Sequence, residues 1–223
     1  MIADVEEIQT ALRERTSVPD EVFDALYPRI SRFRSSVHWT PVEVALRVAE
    51  HLEGAPGGQV LDVGAGVGKA CIIGALTTNL AWVGIEKNPA MVRVARKAAE
   101  RIGVAERTRF LCGDAMLLDW STFGGIYLYN PFAESLFTDE MIEPGTRRQA
   151  YIDEVRSVEH LLEGVAVGTR VVTYHGFGGD MPDNLDLLVR EKVREDEVCL
   201  WIHSGRKRTG YHKDQDEPGV NAQ

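Results

Sequence analysis

The stretch from Val60 to Ala70 constrains the fold more than any other part of the chain. It reads Val-Leu-Asp-Val-Gly-Ala-Gly-Val-Gly-Lys-Ala, so an apolar strand pattern gives way to glycine at three alternate positions and then to a helix-compatible run. Glycine is needed where the backbone turns with positive φ or approaches a ligand closely, and the following helix N-terminus offers unpaired N–H groups. We predict a strand, a tight turn and a helix that bind a nucleotide-like molecule carrying a carboxylate or phosphate.

Two glycine-rich motifs of other nucleotide-binding proteins resemble this stretch in part. A phosphate-binding P-loop would need glycine at Val63 and a hydroxyl residue at Ala70, so this motif is rejected. The dinucleotide motif Gly-x-Gly-x-x-Gly places its third glycine at Lys69 and fits only with a shift of one residue. An NAD-type site therefore stays open as an alternative.

Strand and helix patterns alternate along most of the chain. Such alternation predicts a mostly parallel sheet with right-handed crossovers and helices on both faces, and two final strands joined by a short acidic turn predict an antiparallel hairpin. The expected fold class is α/β, a three-layer sandwich with a C-terminal hairpin and N-terminal helices. Helices are predicted over residues 4–15, 20–34, 42–52, 69–79, 88–102 and 147–164, and strands from residue 60 and over 81–86, 107–112, 125–130, 170–175, 186–193 and 197–203.

Composition makes several classes of function less expected, although it leaves a local basic patch possible. The net charge of −9 disfavours an extended nucleic-acid-binding surface, because phosphate contacts supply most of that affinity. No apolar run is long enough for a membrane span and the first residues are acidic, so a cytoplasmic protein is expected. Cys71, Cys112 and Cys199 lack zinc-site spacing; we expect no metal, and three reduced, buried thiols.

Polar residues follow three of the predicted strands. Glu86 lies 20 residues after Gly66, where a carboxylate can accept hydrogen bonds from both hydroxyls of an adenosine ribose. Asp114 could cap the next turn or accept a hydrogen bond from an adenine amino group, and the presence of Glu86 favours the contact with the nucleotide. Asn130 ends an apolar strand, which is where open α/β sheets place their chemistry.

Residues near these strand ends include further candidates. Thr40 and Pro41 suit an N-cap and a first helical residue. Four residues have side chains that can act as a base, and none is assigned that role: His38, Tyr129, Tyr174 and His175.

Taken together, these features resemble the class I S-adenosylmethionine-dependent methyltransferases over about residues 37–203. The resemblance implies a Rossmann-like sheet, S-adenosylmethionine as cofactor, and an N-terminal helical extension or lid (1–36), a methyltransferase domain (37–204) and a polar tail (205–223). Asp62 and the glycine turn would bind the methionine end, Glu86 the ribose and Asp114 the adenine. The implied cofactor-binding residues are Thr40, Asp62, Gly64, Ala65, Gly66, Gly68, Glu86, Lys87, Asp114, Ala115 and Asn130.

The segment Asn130-Pro131-Phe132 is similar to the Asn-Pro-Pro-Tyr/Phe element of enzymes that methylate amino groups, with one proline missing. We expect the Asn130 side-chain oxygen and the Pro131 carbonyl to accept hydrogens from a substrate nitrogen, while Phe132 packs against the acceptor or the charged methyl. The alternative is that Asn130-Pro131 only turns the chain and Phe132 fills core. The glycine turn and Gly84-Ile-Glu-Lys87 are also similar to one family of histone lysine methyltransferases.

These similarities predict methyl transfer to a nitrogen of a protein side chain, an RNA or a small molecule. Sequence-specific DNA binding is not expected, because no separate target-recognition domain is evident. An NAD-type oxidoreductase and a non-catalytic cofactor-binding module that contacts a partner are the alternatives.

Overall fold

The computed structural model describes residues 4–16, 18–34, 39–130 and 144–206. The helices are α1 (Val5–Arg13), α2 (Asp20–Asp24), α3 (Val42–Leu52), α4 (Lys69–Thr77), α5 (Pro89–Arg101) and α6 (Pro144–Glu163). The strands are β1 (Gln59–Val63), β2 (Ala81–Glu86), β3 (Thr108–Cys112), β4 (Gly125–Tyr129), β5 (Arg170–Tyr174), β6 (Leu185–Val193) and β7 (Asp196–His203). Short 3-10 turns cover Ser31–Arg34, Pro56–Gly58, Ala105–Arg107, Ala115–Leu117 and Trp120–Thr122.

All seven strands form one sheet in the order β3-β2-β1-β4-β5-β7-β6. The first five strands in this order are parallel, whereas β7 pairs antiparallel with both β5 and β6. The predicted α/β class and the C-terminal hairpin are therefore confirmed. The chain runs outward from β1 to β3 and returns to β4 beside β1, and the crevice at such a switch point is where parallel sheets bind ligands.

Two apolar clusters cover the two faces of the sheet. One cluster contains residues of all five helices from α1 through α5 together with residues of the sheet. It includes the buried rings of Phe23, Tyr27 and Trp82. The other places Val158 and Leu162 of α6 with Trp120 against the opposite face. The protein is thus a sandwich of helix, sheet and helix, as expected from the alternating pattern.

The N-terminal helices differ from the sequence prediction. Helix α2 ends at Asp24 rather than continuing to residue 34, because Pro28 lacks an N–H and cannot extend a helix started at Asp20. Helix α3 begins at Val42 with Pro41 as N-cap, so the prediction that Thr40 caps this helix is wrong. Instead, Asp20 Oδ1 accepts a hydrogen bond from Val42 N at 2.8 Å.

Three smaller predictions were also wrong. Helix α4 ends at Thr77, two residues early, and α6 starts at Pro144, three residues earlier than expected. Cys71 and Cys199 are buried as predicted, but Cys112 is exposed because it ends the edge strand β3.

Candidate active site

The glycine turn after β1 has the backbone that its sequence predicts. Gly64, Gly66 and Gly68 have φ values of 73°, 55° and 77°, all in the left-handed region. A Cβ on Gly68 would lie 2.5 Å from the Phe110 ring, whereas the space beside the Gly66 Cα is open. The turn therefore packs tightly against the sheet on one side and leaves backbone accessible on the other.

Glu86 connects this turn to the end of the neighbouring strand. Its Oε2 accepts a hydrogen bond from Gly66 N at 3.0 Å, and its Oε1 accepts one from Asn88 N at 2.7 Å. Asn88 in turn caps α5 through the Ala90 N–H at 2.9 Å, as predicted. The carboxylate of Glu86 is thereby held beside the glycine turn, at the carboxyl edge of the sheet.

Asp62 is a buried acid at the end of β1, only 4% exposed. Burial raises the pKa of its carboxyl to about 7, and the nearby charge of Glu86 adds to the rise, while a hydrogen bond from Cys71 opposes it. The Cys71 Sγ donates to Asp62 Oδ2 at 3.2 Å. Burial and the Asp62 charge hold the pKa of this thiol well above its ordinary value, so it remains a donor.

The Asp62 carboxyl should make folding stability pH-dependent. Its pKa is above the ordinary value of 3.8, so the unfolded chain loses this proton first and stability falls as pH rises from about 4 to about 7. Between about pH 5 and about pH 6, the titration of Asp62 should lower the free energy of unfolding by up to about 1.4 kcal/mol. Urea denaturation of Asp62→Asn should lack this component; an identical pH slope in the variant and the wild type would refute the assignment.

Lys69, the first residue of α4, is a buried cation that the sequence pattern did not assign. Its Nζ lies 2.7 Å from both Asp20 Oδ1 and Asp24 Oδ1 and 5.5 Å from the centre of the Phe23 ring. Arg194 also binds Asp20, through Nη1 and Oδ2 at 2.6 Å. Burial alone would raise the pKa of Asp20, but the bonds from Lys69, Val42 and Arg194 hold it below its ordinary value.

The predicted adenine-side residues meet at the ends of β2 and β3. Asp114 Oδ1 accepts a hydrogen bond from Met116 N at 3.0 Å and so caps a short turn, which is one of its two predicted roles. The favoured role, contact with adenine, stays a prediction. Lys87 Nζ lies 3.6 Å from Asp114 Oδ2 and 2.9 Å from Glu154 Oε1. Partial burial opposes the charge of Lys87, but the two carboxylates outweigh it and raise the Lys87 pKa. Ala115 is buried beneath this turn.

A cleft opens between the carboxyl ends of β1 and β4. The Thr40 and Tyr127 hydroxyls lie 3.1 Å apart in its wall, and burial raises the pKa of Tyr127 well above its ordinary value. Thr40 thus faces the cleft rather than capping α3. The cleft is lined by Trp39, Thr40, Asp62, Val63, Gly64, Ala65, Gly66, Val67, Lys69, Ala70, Tyr127 and Tyr129.

Asn130 follows β4 directly after Tyr129, which lines this cleft. It has a left-handed φ of 35°, and its N–H donates to the Gly176 carbonyl at 2.9 Å. Pro131 and Phe132, which were predicted with it, lie outside the described residues. The structure therefore brings Asp62, the glycine turn and Glu86 to one edge of the sheet, with Asn130 at the end of the adjacent strand.

The charge of this edge favours one class of nucleotide over another. Asp62, Glu86 and Asp114 are acidic, and among the described residues that line the cleft the only cation is Lys69, which is already paired with Asp20 and Asp24. Carboxyl groups suit ribose hydroxyls and the ammonium of an amino acid, but they repel a diphosphate. The open backbone at Gly66 leaves room for such a ligand, so the residues present fit S-adenosylmethionine better than NAD.

The described residues contain neither a metal-binding group of side chains nor a membrane-spanning helix. Within residues 4–16, 18–34, 39–130 and 144–206, no group of three or more His, Cys, Asp or Glu is arranged to hold a metal ion. Over the same ranges, no helix has the length and apolar character needed to cross a membrane.

Comparison with known proteins identifies the family. A family model described as a methyltransferase domain matches residues 55–176, so the chain belongs to the methyltransferase-domain family. No curated protein sequence matches the chain. Since the matched segment contains the glycine turn and both acidic strand ends, the family assignment and the geometry concern the same part of the molecule.

Solved structures with the same fold support this assignment. An RNA methyltransferase from Salinibacter ruber, in complex with S-adenosyl-L-homocysteine, is 28% identical with a TM-score of 0.54, covering 80% of this chain and 99% of that one. A putative O-methyltransferase from Klebsiella pneumoniae has 14% identity and a TM-score of 0.57, with 89% and 96% covered. TrmN from Thermus thermophilus has 19% identity and a TM-score of 0.52, with 78% and 53% covered. The last two show the fold alone.

The cofactor of this domain is S-adenosylmethionine, as expected from the sequence. S-adenosylmethionine therefore takes the place of NAD, the alternative cofactor that the glycine turn left open.

Proposed function

We propose that the protein transfers the methyl group of S-adenosylmethionine to a nitrogen atom of its acceptor. The observation that carries the proposal is the position of Asn130, which follows β4 beside the cleft and is fixed there by its hydrogen bond to Gly176. An amide oxygen at this edge can accept a hydrogen bond from an acceptor N–H and orient the nitrogen lone pair. An acceptor that is methylated on oxygen would offer fewer such hydrogens.

The cofactor would be held by residues at the carboxyl ends of β1, β2 and β3. Asp62 and the turn of Gly64, Ala65, Gly66 and Gly68 would receive the methionine end, and Thr40 would contact it from the opposite wall. Glu86 would bind the ribose hydroxyls, while Lys87, Asp114 and Ala115 would border the adenine. Support for this arrangement comes from the Glu86 hydrogen bonds to Gly66 N and Asn88 N, which place its carboxylate between the two turns.

Methyl transfer needs alignment more than chemical assistance. The bound cofactor supplies an electrophilic methyl on a sulfonium, a good leaving group. The protein then has to hold an unprotonated nitrogen in line with that methyl and keep water away. Asn130 and the Pro131 carbonyl would orient the nitrogen, and Phe132 would pack against the acceptor.

Domain boundaries follow from the same proposal. Residues 37–204 would form the catalytic domain, 1–36 an N-terminal extension that borders the acceptor side, and 205–223 a polar tail. The contacts of Asp20 and Asp24 with Lys69 support this, because they join the N-terminal segment to the cofactor turn.

Among acceptors, RNA is the first to test, because the Salinibacter ruber neighbour at 28% identity is an RNA methyltransferase. The purified protein would be incubated with radiolabelled S-adenosylmethionine and, in parallel, total RNA, a protein extract and a metabolite extract. Label in the RNA fraction supports this acceptor class. Label in the protein or metabolite fraction alone would contradict RNA while keeping methyl transfer. A protein that binds the cofactor and labels none of them would instead be the non-catalytic module.

Replacement of Asn130 by alanine should abolish turnover and leave cofactor binding almost intact. The turnover number should fall by about 100- to 1,000-fold, the usual effect of losing one hydrogen bond that acts in the transition state. Calorimetry with S-adenosylhomocysteine should give a dissociation constant within about twofold of the wild type. Unchanged turnover in Asn130→Ala would overturn the role assigned to this residue.

A further inference from the structure

A histidine–aspartate pair lies beside Asn130. His175 directly follows β5, and Tyr129 and Tyr174, the residues before Asn130 and His175, are register partners in the parallel pairing of β4 with β5. The His175 Nδ1 contacts the Asp196 Oδ2, at the start of β7. The two side chains are 39% and 35% exposed, so the imidazole is held in place yet accessible to a molecule bound at this edge.

The ring of His175 is one side chain away from the cofactor cleft. Tyr129, which lines the cleft, stacks on the imidazole with 5.5 Å between ring centres and an angle of 15°. Tyr174 packs against both rings, at 5.1 Å from Tyr129 and 4.7 Å from His175. These contacts fix the imidazole plane from two sides and connect it to the wall of the cleft.

The backbone at this corner adopts a left-handed conformation, which is uncommon for residues other than glycine, although asparagine and histidine adopt it more often than most. Asn130 and His175 have φ values of 35° and 58°, and the hydrogen bond from Asn130 N to Gly176 O joins the two segments. Left-handed conformations of residues other than glycine cost on the order of 1 kcal/mol or more and persist where surrounding contacts enforce them. Backbone strain is thus present at two adjacent strand ends, and the hydrogen bond between them brings Asn130 close to His175.

The neighbouring tyrosines are poor candidates for proton uptake. Burial raises the pKa of Tyr129, and the adjacent Tyr174 and Asp196 add to this effect. Burial likewise raises the pKa of Tyr174, and Asp196 and Glu195 outweigh the opposing Arg194. Both phenols therefore keep their protons at neutral pH, which leaves the imidazole as the basic group of the cluster.

We propose that His175, oriented by Asp196, accepts the proton that the acceptor nitrogen loses when it is methylated. The inference rests on the proposed function and narrows the acceptor to a nitrogen that carries a hydrogen and enters along the Tyr129 face. The nitrogen lone pair forms the N–C bond while the C–S bond breaks, and the bonding pair stays on sulfur as a neutral thioether. The N–H proton then passes to His175 Nε2, because Nδ1 donates its hydrogen to Asp196.

The tautomer of His175 gives a test that needs no acceptor. Histidine ring nitrogens would be labelled with nitrogen-15 and observed by NMR at about pH 8, with His175→Gln used to assign the signal; at that pH an uncharged imidazole shows which nitrogen carries the hydrogen. We expect His175 to carry hydrogen on Nδ1 and none on Nε2, and Asp196→Asn to lose this preference. A hydrogen on Nε2 in the wild type would overturn the proposal.

The same spectra show whether His175 faces the transferred methyl. The S-adenosylmethionine and S-adenosylhomocysteine complexes differ only by one methyl and its positive charge, so a group that faces the methyl should shift between them. The His175 Nε2 signal should change more than that of His160, an exposed histidine on α6. Identical chemical shifts of His175 Nε2 in the two complexes would contradict the proposal that His175 faces the transferred methyl.

A kinetic comparison separates this inference from the proposed function. On an acceptor found in the labelling experiment, His175→Gln should lower the turnover number by roughly 100-fold or more, the usual contribution of a general base, with cofactor affinity unchanged. If the wild type labels no acceptor, the proposed function fails and the NMR result still decides where His175 lies. If transfer is normal in His175→Gln, only the role of His175 fails.

Discussion

Glu86→Ala should weaken binding of S-adenosylmethionine and S-adenosylhomocysteine by about 2–4 kcal/mol, or roughly 30- to 1,000-fold in Kd. The variant loses the proposed hydrogen bonds from both ribose hydroxyls. It also loses the carboxylate that joins Gly66 N to Asn88 N, so the glycine turn is less well ordered before binding. Isothermal titration calorimetry of the wild type and the variant measures the difference.

A surface carboxylate provides the matched control for this experiment. Glu50 is an exposed residue of α3 whose carboxylate pairs with Arg47, so Glu50→Ala should bind the cofactor like the wild type. Thermal unfolding without ligand shows whether Glu86→Ala is folded. Folded Glu86→Ala that binds within about twofold of the wild type would contradict the assigned ribose contact.

The second large effect is expected at Lys69, where Lys69→Met should destabilise the fold by about 3–5 kcal/mol. Methionine fills a similar volume but leaves Asp24, whose side chain is only 7% exposed, without its buried cation. Asp20 keeps Arg194 and Val42 as partners and its side chain is 31% exposed, so the more deeply buried Asp24 carries most of the loss. For a chain of this size the melting temperature should fall by roughly 6–20 °C.

An exposed lysine tests whether burial is the cause. Lys97 lies on the exposed face of α5, and Lys97→Met should change stability by no more than about 0.5 kcal/mol. Lys69→Met combined with Asp24→Asn should recover part of the loss, because the buried carboxylate charge is then removed. Equal stability of Lys69→Met and the wild type would show that the ion pairs do not tie the N-terminal segment to the cofactor turn.

Local patterns were sufficient to predict most of the architecture. All seven strands were expected within one or two residues, because each is a short apolar run bounded by glycine, proline or acidic turns. The positive φ values of Gly64, Gly66 and Gly68 follow from the alternation of glycine in the sequence. The position of Glu86 beside Gly66 was also predictable, since adjacent parallel strands bring their carboxyl ends to the same edge.

Contacts between distant parts of the chain were not predictable. Lys69 and Asp20 are separated by 49 positions, and no periodicity relates them. Thr40 has the sequence of an N-cap, yet its hydroxyl faces Tyr127 because Asp20 already occupies the first N–H of α3. The pairing of His175 with Asp196 likewise depends on the antiparallel placement of β7 beside β5. The predicted roles of Pro131 and Phe132 remain predictions.

The most direct test of the account is to identify the atom that receives the methyl group. The protein would be incubated with S-adenosylmethionine carrying a trideuterated methyl and with total RNA, and the digested nucleosides would be analysed by mass spectrometry beside an Asn130→Ala control. We expect the trideuteromethyl group on a base nitrogen with the wild type and none with the control. Label on a ribose oxygen or a base carbon, or equal labelling by Asn130→Ala, would contradict nitrogen methylation directed by Asn130.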